Sequence, residues 1–264
     1  MKIKIMAIGD VVGTPGRDAL KGWLKKAKRE QEIEFAVVNG ENIAGGSGLT
    51  PSLYEDLLIA GADAITSGDH IFKKKEIIPL LTNGCRIVRP CNYPDAAAGL
   101  GWQVFESRNG FKIGVAQVQG RVFMNTPADN PFLAAERAVE ALRQHTNVVV
   151  LDVHAEATSE KVALGWMLDG RVSLLFGTHT HIPTADETVL PKGTAFISDV
   201  GMTGPYDSIL GRDKDKVLRH FVTGMPMPFD VASNDVRISG CVATVDLDSG
   251  RALACDRFQV RVGA

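Results

Sequence analysis

Apolar runs and helical segments alternate through the first third of the chain, and this alternation restricts the fold more than any other feature. The first run, residues 2–9, is followed directly by Asp10 and is typical of a buried strand. The segment after it places Leu20, Trp23, Leu24 and Ala27 on one helical face. Strands are predicted at residues 2–9, 34–40 and 62–67, and helices at residues 15–30, 51–60 and 73–81. This order predicts a parallel sheet with helical crossovers.

The rest of the chain has a different pattern. Two short strands, residues 102–106 and 111–118, are joined through Asn109-Gly110, which is a strong hairpin signal. Helices are predicted at residues 131–144 and 158–169, and strands at residues 148–153, 172–176, 194–197, 242–247 and 258–262. Residues 201–235 are rich in Gly, Pro and Asp and are predicted to form a long ordered loop. Together these patterns favour an α/β fold with two mixed β-sheets in a single domain, residues 1–264.

Composition and charge restrict the partners. Of 264 residues, 45% are hydrophobic and 23% are charged, which are ordinary values for a domain with a core. The formal net charge of −2 gives no sign of a duplex nucleic-acid partner. A small anionic substrate is compatible with this charge, because a metal ion would add local positive charge.

The cysteines and the chain start bear on location. Four cysteines occur without a C-x-x-C pair, so no zinc ribbon is predicted and reduced thiols are expected: Cys85, Cys91, Cys241 and Cys255. No signal peptide and no membrane span are predicted, so the cytoplasm is the expected location and no membrane partner is expected. The formation of a homo-oligomer stays open.

Metal-binding residue types stand at the ends of the predicted strands. Imidazoles occur in G-D-H, V-H-A-E and G-T-H-T-H, and acidic or amide side chains occur in I-G-D and N-G-E-N. In open α/β sheets, ligands bind outside the carboxyl ends of the strands. Any one of these residues alone is more often an ordinary polar loop residue. The whole set at one sheet edge indicates a metal centre. Its members are Asp10, Glu41, Asn42, Asp69, His70, His154, His179 and His181.

Local spacing gives two further expectations. His179 and His181 are two residues apart, so in extended backbone both imidazoles would point to one face and reach one metal ion or two adjacent ions. Glu41 and Asn42 are neighbours, so both can serve only if the chain turns there, which Gly45 and Gly46 would permit. Mixed oxygen and nitrogen ligands suit iron, manganese or zinc.

The motifs together resemble a known family. The succession G-D, G-E-N, G-D-H, a lone His and G-T-H-T-H is similar to that of the calcineurin-like metallophosphoesterases. The strings G-D-V-V-G, N-G-E-N, V-H-A-E-A-T-S-E-K, G-T-H-T-H and D-V-G-M-T-G-P-Y-D-S resemble the YmdB-like bacterial branch of that superfamily. The similarity covers nearly the whole chain. It implies a four-layer αββα sandwich with two metal ions, iron being favoured and manganese or zinc being alternatives.

The resemblance also implies a role for each residue. Asp10, Asn42 and His181 would bind the first metal ion, and Glu41 would bridge both ions. The second ion would be bound by Asp69, His154 and His179. His70 would contact the substrate and its leaving group rather than a metal.

Two positions depart from the family pattern. The wider superfamily begins D-x-H, and here Val12 occupies the third position, so Asn42 is expected to substitute for the missing histidine. The family has G-N-H where this chain has Gly68-Asp69-His70. Asp10, Glu41 and Asp69 carry three negative charges, and a bridging hydroxide would make four, which two divalent ions would just cancel. Asp69 should therefore favour a more highly charged metal pair, or else weaken phosphate binding.

The implied activity is hydrolysis of small phosphodiesters, such as 2′,3′-cyclic nucleotides, by a hydroxide that bridges the metal ions. His70 would protonate the leaving oxygen as the catalytic general acid. Arg121 would bind a substrate phosphate, although a surface loop arginine is an equal alternative. Two other functions stay open, a phosphomonoesterase and a nucleotide-binding regulatory protein with little turnover.

Overall fold

Two mixed β-sheets form the centre of the structure, a computed structural model that describes residues 1–262. The last two residues of the predicted domain, 263 and 264, lie outside the described range. The strands are β1 (Lys2–Ile8), β2 (Asp10–Val11), β3 (Ile33–Asn39), β4 (Ala64–Thr66), β5 (Ile87–Val88), β6 (Trp102–Glu106), β7 (Lys112–Gln119), β8 (Val149–His154), β9 (Leu174–Thr178), β10 (Thr188–Val189), β11 (Ala195–Ile197), β12 (Met202–Pro205), β13 (Val236–Asp246) and β14 (Ala252–Arg261). The helices are α1 (Gly13–Glu30), α2 (Pro51–Ala60), α3 (Ile78–Thr82), α4 (Pro131–Arg143), α5 (Thr158–Met167) and α6 (Lys214–Thr223).

Each sheet contains both parallel and antiparallel strand pairs. The first has the order β2-β12-β13-β1-β3-β4-β5, with β14 paired to β13, and the second has the order β10-β11-β9-β8-β7-β6. Strands β1, β3, β4 and β5 are parallel in the first sheet, and β7, β8, β9 and β11 are parallel in the second. Parallel strands bring their carboxyl ends to one edge of a sheet, so each sheet has one edge at which polar side chains converge.

Three apolar clusters separate four layers. One lies between the sheets and joins residues such as Phe35 and Val37 of β3 to Val150 of β8 and Phe176 of β9. The second packs α1 and α2 on the outer face of the first sheet, and the third packs α4 and α5 on the outer face of the second. The predicted four-layer αββα sandwich is therefore confirmed. Within residues 1–262, no helix combines the length and the apolar character that a membrane crossing requires.

The prediction of one long loop at residues 201–235 is wrong in two places. The segment contains strand β12, which pairs in parallel with the two-residue strand β2 and antiparallel with β13. It also contains helix α6, which begins after the capping side chain of Asp213 and ends at Gly224, where φ is +67°. Val217, Leu218, Phe221 and Val222 recur at helical spacing in this segment, a signal that the prediction of a loop overlooked. Of these four residues only Val217 is buried.

The helix predicted at residues 73–81 is also different in the structure. A short 3₁₀ turn, Lys75–Ile77, precedes the five-residue helix α3. Pro79 lies in the first turn of α3, where its missing N–H group costs no intrahelical hydrogen bond. The same residue could not lie in the interior of one continuous helix without breaking it. The proline therefore explains why the segment forms two short pieces.

Gly177 makes the close approach of β9 to the chain after β11 possible. A methyl group on Gly177 would lie 1.8 Å from the carbonyl oxygen of Ser198. We expect Gly177→Ala to lower the free energy of unfolding by about 1–3 kcal/mol, because the two strands would have to separate. Urea unfolding of the metal-free protein measures this loss.

Gly22→Ala is the matched control. A methyl group on Gly22, in the exposed face of α1, would meet nothing within 4 Å. Alanine has the higher helix propensity, so this variant should gain about 0.5–1 kcal/mol. Equal stability of the two variants would contradict the close approach at Gly177.

Candidate metal centre

The predicted ligand residues meet at the carboxyl edge of the two sheets. Asp10 begins β2 directly after β1, Glu41 follows β3, and Asp69 follows β4. From the second sheet, His154 is the last residue of β8, and His179 follows β9. The apolar strands therefore end where a polar site begins, as expected for open α/β sheets.

Two groups of side chains lie close enough to hold a metal ion each. Glu41, Asp69, His154 and His179 offer ligand atoms that all lie within 4.8 Å of one another. Asp10, Glu41 and His181 form a second such group. Glu41 belongs to both groups.

The chemistry of the site fits a bound cation. Asp10 Oδ1 is buried and has no hydrogen-bond partner among residues 1–262. Glu41 Oε2 also makes no hydrogen bond there, although it faces His154 Nε2 at 3.1 Å. Buried carboxylate oxygens without partners are costly unless a cation satisfies them. The residues present therefore suit the metal ions that the resemblance implies.

Each histidine directs one ring nitrogen into the site and bonds with the other. His154 Nδ1 is 2.9 Å from the hydroxyl of Thr178, and its Nε2 faces Glu41 and Asp69. His179 Nδ1 faces the site, whereas its Nε2 is 3.3 Å from a carboxylate oxygen of Glu156. A partner on the outer nitrogen fixes the ring orientation and the tautomer of a metal ligand.

His181 and His179 are present in the neutral form that a metal requires. His181 donates from Nδ1 to the carbonyl oxygen of Leu210 at 3.0 Å and turns Nε2 toward Asn42. Burial lowers the pKa of His181, and burial together with the nearby His154 lowers the pKa of His179 to about 4. Their ring nitrogens therefore keep a free electron pair at neutral pH.

The other ligands share the charge of the site. Burial raises the pKa of Asp10 well above its usual value, and the neighbouring charge of Glu41 adds to this rise. Burial alone would lower the pKa of His154, but the Glu41 carboxylate and the hydrogen bond to Asp69 outweigh it and raise this pKa. Burial would raise the pKa of Asp69, yet its contacts with His154 reverse that effect and lower it. Without a metal, His154 thus serves as the cation of the site.

Asn42 links the ligand cluster to His70. Its Nδ2 donates to Glu41 Oε1 at 2.7 Å, and its Oδ1 lies 2.9 Å from His70 Nδ1. A half-turn of the amide would bring the oxygen toward Glu41 and His181 and leave the NH₂ group facing His70 Nδ1. His70 is partly exposed and lines a cavity of about 270 Å³ beside the cluster. His70 belongs to neither ligand group.

The prediction of extended backbone at His179 and His181 is wrong. β9 ends at Thr178, and the two histidines have φ angles of +95° and +66°. Both imidazoles reach the site through left-handed backbone, which is unfavourable for residues with a side chain. The sequence signal was the spacing alone, which does not reveal the backbone conformation.

A buried ion pair holds these histidines. Lys161, on α5, donates to Asp199 Oδ2 at 2.7 Å, and both side chains are almost fully buried. Asp199 also accepts a hydrogen bond from the hydroxyl of Thr180, the residue between the two histidines, at 2.7 Å. Contacts between residues that are far apart in sequence thus support the strained turn.

The structure places other residues at the cavity that the sequence did not indicate. Glu156 and Arg212 line it, and the guanidinium of Arg212 donates to the carbonyl oxygens of Gly45, Gly46 and Phe229. Glu156 belongs to the V-H-A-E string, which could have indicated it as a site residue. No motif near Arg212 indicated a site. Arg121 does not line this cavity. Its backbone N–H donates to Glu160, and the residue is exposed.

A four-layer sandwich with imidazoles and carboxylates at the carboxyl ends of its strands has the architecture of a metallophosphoesterase. The sequence model of the YmdB-like protein family matches residues 6–258, so the chain belongs to this family. The resemblance seen in the sequence motifs is thereby confirmed.

Similar proteins cover the chain almost completely. A Bacillus subtilis (strain 168) protein named 2′,3′-cyclic-nucleotide 2′-phosphodiesterase is 45% identical over 258 residues, which cover 98% of this chain and 97% of that protein. A crystal structure of a hypothetical protein from Thermus thermophilus has a TM-score of 0.89 at 40% identity and covers 98% of this chain and 99% of its own. A structure described as a novel phosphatase of Mycoplasma pneumoniae has a TM-score of 0.91 at 33% identity and covers 99% and 94%.

Lys161→Met tests whether the Lys161–Asp199 ion pair stabilises the turn that carries His179 and His181. Loss of the ammonium would leave the buried Asp199 carboxylate without its cation, so unfolding should become easier by about 3–5 kcal/mol. Urea unfolding of the metal-free protein gives the value. Lys192→Met, which removes an exposed lysine, should change the stability by no more than about 0.5 kcal/mol. A Lys161→Met protein as stable as the parent would show that the pair does not hold the turn.

Proposed function

We propose that this chain hydrolyses small phosphodiesters of the 2′,3′-cyclic nucleotide type, using two metal ions. The observation that carries the proposal is the pair of ligand groups that share Glu41 beside the cavity lined by His70. Membership of the YmdB-like family and the name of the Bacillus subtilis relative support the substrate class. The broader class, hydrolysis of phosphoesters, follows from the same relatives.

The proposed ligands divide into two sets. Asp10, Asn42 and His181 would hold one ion, Asp69, His154 and His179 would hold the other, and Glu41 would bridge them. This mixture of carboxylate, amide and imidazole donors suits iron, manganese or zinc, and we favour iron. When bound, the ions would lower the pKa of a coordinated water and neutralise charge on the phosphate oxygens.

His70 is the proposed general acid. Its Nδ1 is engaged by Asn42, so its Nε2, 3.9 Å from the nearest Asp69 oxygen, is the nitrogen left for the substrate. If the Asn42 amide turns its oxygen to a metal, its NH₂ group would donate to His70 Nδ1. That arrangement requires the proton of a neutral His70 on Nε2, where it can be passed to a leaving oxygen.

Arg121 remains our candidate for binding the substrate phosphate. It follows Gly120, whose N–H donates to the carbonyl oxygen of His154 at 2.9 Å, so its segment is anchored beside the ligand cluster. The residue is exposed, so its side chain is accessible to a substrate. A cytoplasmic location stays a prediction of the sequence, and self-association stays open.

A phosphomonoesterase is the second candidate, because the Mycoplasma pneumoniae relative is described as a phosphatase. A monoester carries one more negative charge than a diester at neutral pH, and three carboxylates in the site disfavour it. Relative rates on matched mono- and diesters of one nucleoside separate the two activities. A nucleotide-binding protein with little turnover would instead bind tightly and release no product.

Hydrolysis of 2′,3′-cyclic AMP by metal-free protein reconstituted with Fe²⁺ or Mn²⁺ tests the proposal. We expect turnover that depends on the metal. His70→Ala should keep its metal content and lose about 10²–10⁴-fold in turnover, the usual range for a general acid. His220→Ala is the control, because His220 lies on α6 and bonds to the Met225 carbonyl, outside the cavity. Absence of turnover with both metals would reject the proposed phosphodiesterase activity. Full activity of His70→Ala would reject the role of His70 as general acid.

Asp69→Asn tests the charge of the site. The change removes one of three carboxylates and should shift the metal preference from a mixed-valence Fe(III)/Fe(II) pair toward two divalent ions, or strengthen phosphate binding. Metal analysis and Mössbauer spectra of both proteins measure the first effect, and the Michaelis constants measure the second. Unchanged metal content, valence and Michaelis constants together would dismiss this role of Asp69.

A further inference from the structure

Beneath the ligand edge, polar side chains from several strands meet at one buried carboxylate. Asp152 lies on β8 two residues before His154, so the two side chains share a face of the strand. Val150, two residues earlier, belongs to the apolar cluster between the sheets. Along this face the strand therefore passes from apolar core to Asp152 and then to a proposed metal ligand.

Both oxygens of Asp152 are occupied by donors from other strands. Oδ2 accepts from Asn39 at 3.0 Å and from Gln117 at 2.9 Å. Oδ1 accepts from the hydroxyl of Thr178 at 2.7 Å. All four residues have no exposed surface. Asp152 belongs to neither group of potential ligands.

Each donor in turn holds a segment that carries a ligand. Asn39 Oδ1 accepts from the backbone N–H of Glu41 at 3.1 Å. Gln117 Oε1 accepts from the backbone N–H of Gly68, next to Asp69, at 3.0 Å. The third donor, the Thr178 hydroxyl, lies 2.9 Å from Nδ1 of His154. One carboxylate thus connects three ligand-bearing segments from both sheets.

The direction of these hydrogen bonds determines the tautomer of His154. A carboxylate only accepts, so the single hydroxyl proton of Thr178 is directed to Asp152. The oxygen of Thr178 can then only accept from His154, which requires the proton of a neutral imidazole on Nδ1. Once the ring is neutral, Nε2 consequently offers its electron pair toward Glu41 and Asp69, where a metal would replace the second proton of the imidazolium.

We infer that Asp152 is a positioning residue that prepares the metal centre by fixing the tautomer of His154 and the places of Glu41 and Asp69. The inference rests on the metal centre of the proposed function. Asp152 lies outside the proposed ligand set, yet it holds His154 in the tautomer that a metal ligand requires.

Asp152→Asn tests the inference, because it keeps the shape and changes the hydrogen-bond direction. The remaining oxygen is needed by Asn39 and Gln117, so the new NH₂ group would face Thr178. Thr178 would then donate to His154 Nδ1 and place the ring proton on Nε2, the metal-facing nitrogen. We expect Mn²⁺ affinity, measured by calorimetry on metal-free protein, to fall about 10–100-fold.

The double variant separates tautomer control from simple packing. Thr178→Val removes the hydroxyl relay, so it should weaken Mn²⁺ binding by itself and leave His154 free to change tautomer. In that background Asp152→Asn should have little further effect. If the two substitutions instead weaken binding additively, Asp152 does not act through Thr178, and its control of the His154 tautomer is wrong.

The matched control is Asp169→Asn. Asp169 is also a buried carboxylate that accepts backbone hydrogen bonds, from Lys192 and Thr194, but it lies outside the site. Its Mn²⁺ affinity should equal that of the parent. A comparable loss in both variants would mean that the loss of any buried carboxylate weakens binding, and would overturn the specific role of Asp152.

The ¹⁵N shifts of the His154 ring give a second result that does not require metal. In metal-free protein, at a pH that leaves the ring neutral, the parent should carry its proton on Nδ1 and Asp152→Asn on Nε2. An Nε2–H tautomer in the parent would refute the inference. If the parent has the Nδ1–H tautomer but binds no metal, the proposed metal centre is wrong, and so is this role of Asp152. If the parent and Asp152→Asn bind metal equally well, only the inference about Asp152 is wrong.

Discussion

The mutual repulsion of three carboxylates at one buried edge is the constraint on which the rest of the site depends. Asp10 and Glu41 are almost completely buried, and Asp69 lies beside them, so water screens their charges poorly. In the metal-free protein the imidazole of His154 balances part of this charge, which its raised pKa reflects. Binding of a cation would replace that proton, so metal binding and proton release are coupled. The fold therefore maintains a site that is complete only when a cation is present.

Such a site needs rigid support, because repelling side chains move apart unless the backbone holds them. The support comes from two buried polar groups rather than from the apolar core itself. Asp152 ties the Glu41 and Asp69 segments to His154, and the Lys161–Asp199 pair holds the turn of His179 and His181. Both groups join residues from different elements, so their contribution depends on the assembled sandwich. The placement of the proposed metal ligands is thus a property of the whole fold.

The sequence predicted which side chains would converge at the sheet edge, because their signal is local. A polar residue directly after an apolar run lies at a strand end, and parallel strands bring those ends together wherever the helices cross over. The left-handed backbone at His179 could not be predicted in this way, since it depends on Lys161 and Asp199, which are distant in sequence. The same reason applies to β12, whose pairing partner β2 is only two residues long. Alternation along D-V-H did place Asp152 on the face of His154, but its partners become visible only in three dimensions.

The cavity beside His70 shows why the charge of the ligand set also affects the substrate. Among the residues that line it, Arg212 is the one with a permanent positive charge, and its guanidinium is already engaged with three backbone carbonyl oxygens. A phosphate entering this cavity would therefore depend on bound cations for most of its electrostatic attraction. The carboxylate of Asp69 subtracts from that attraction, whereas an amide would not. On the proposed function, we expect discrimination between a diester with one negative charge and a monoester with two to be determined at the ligand edge.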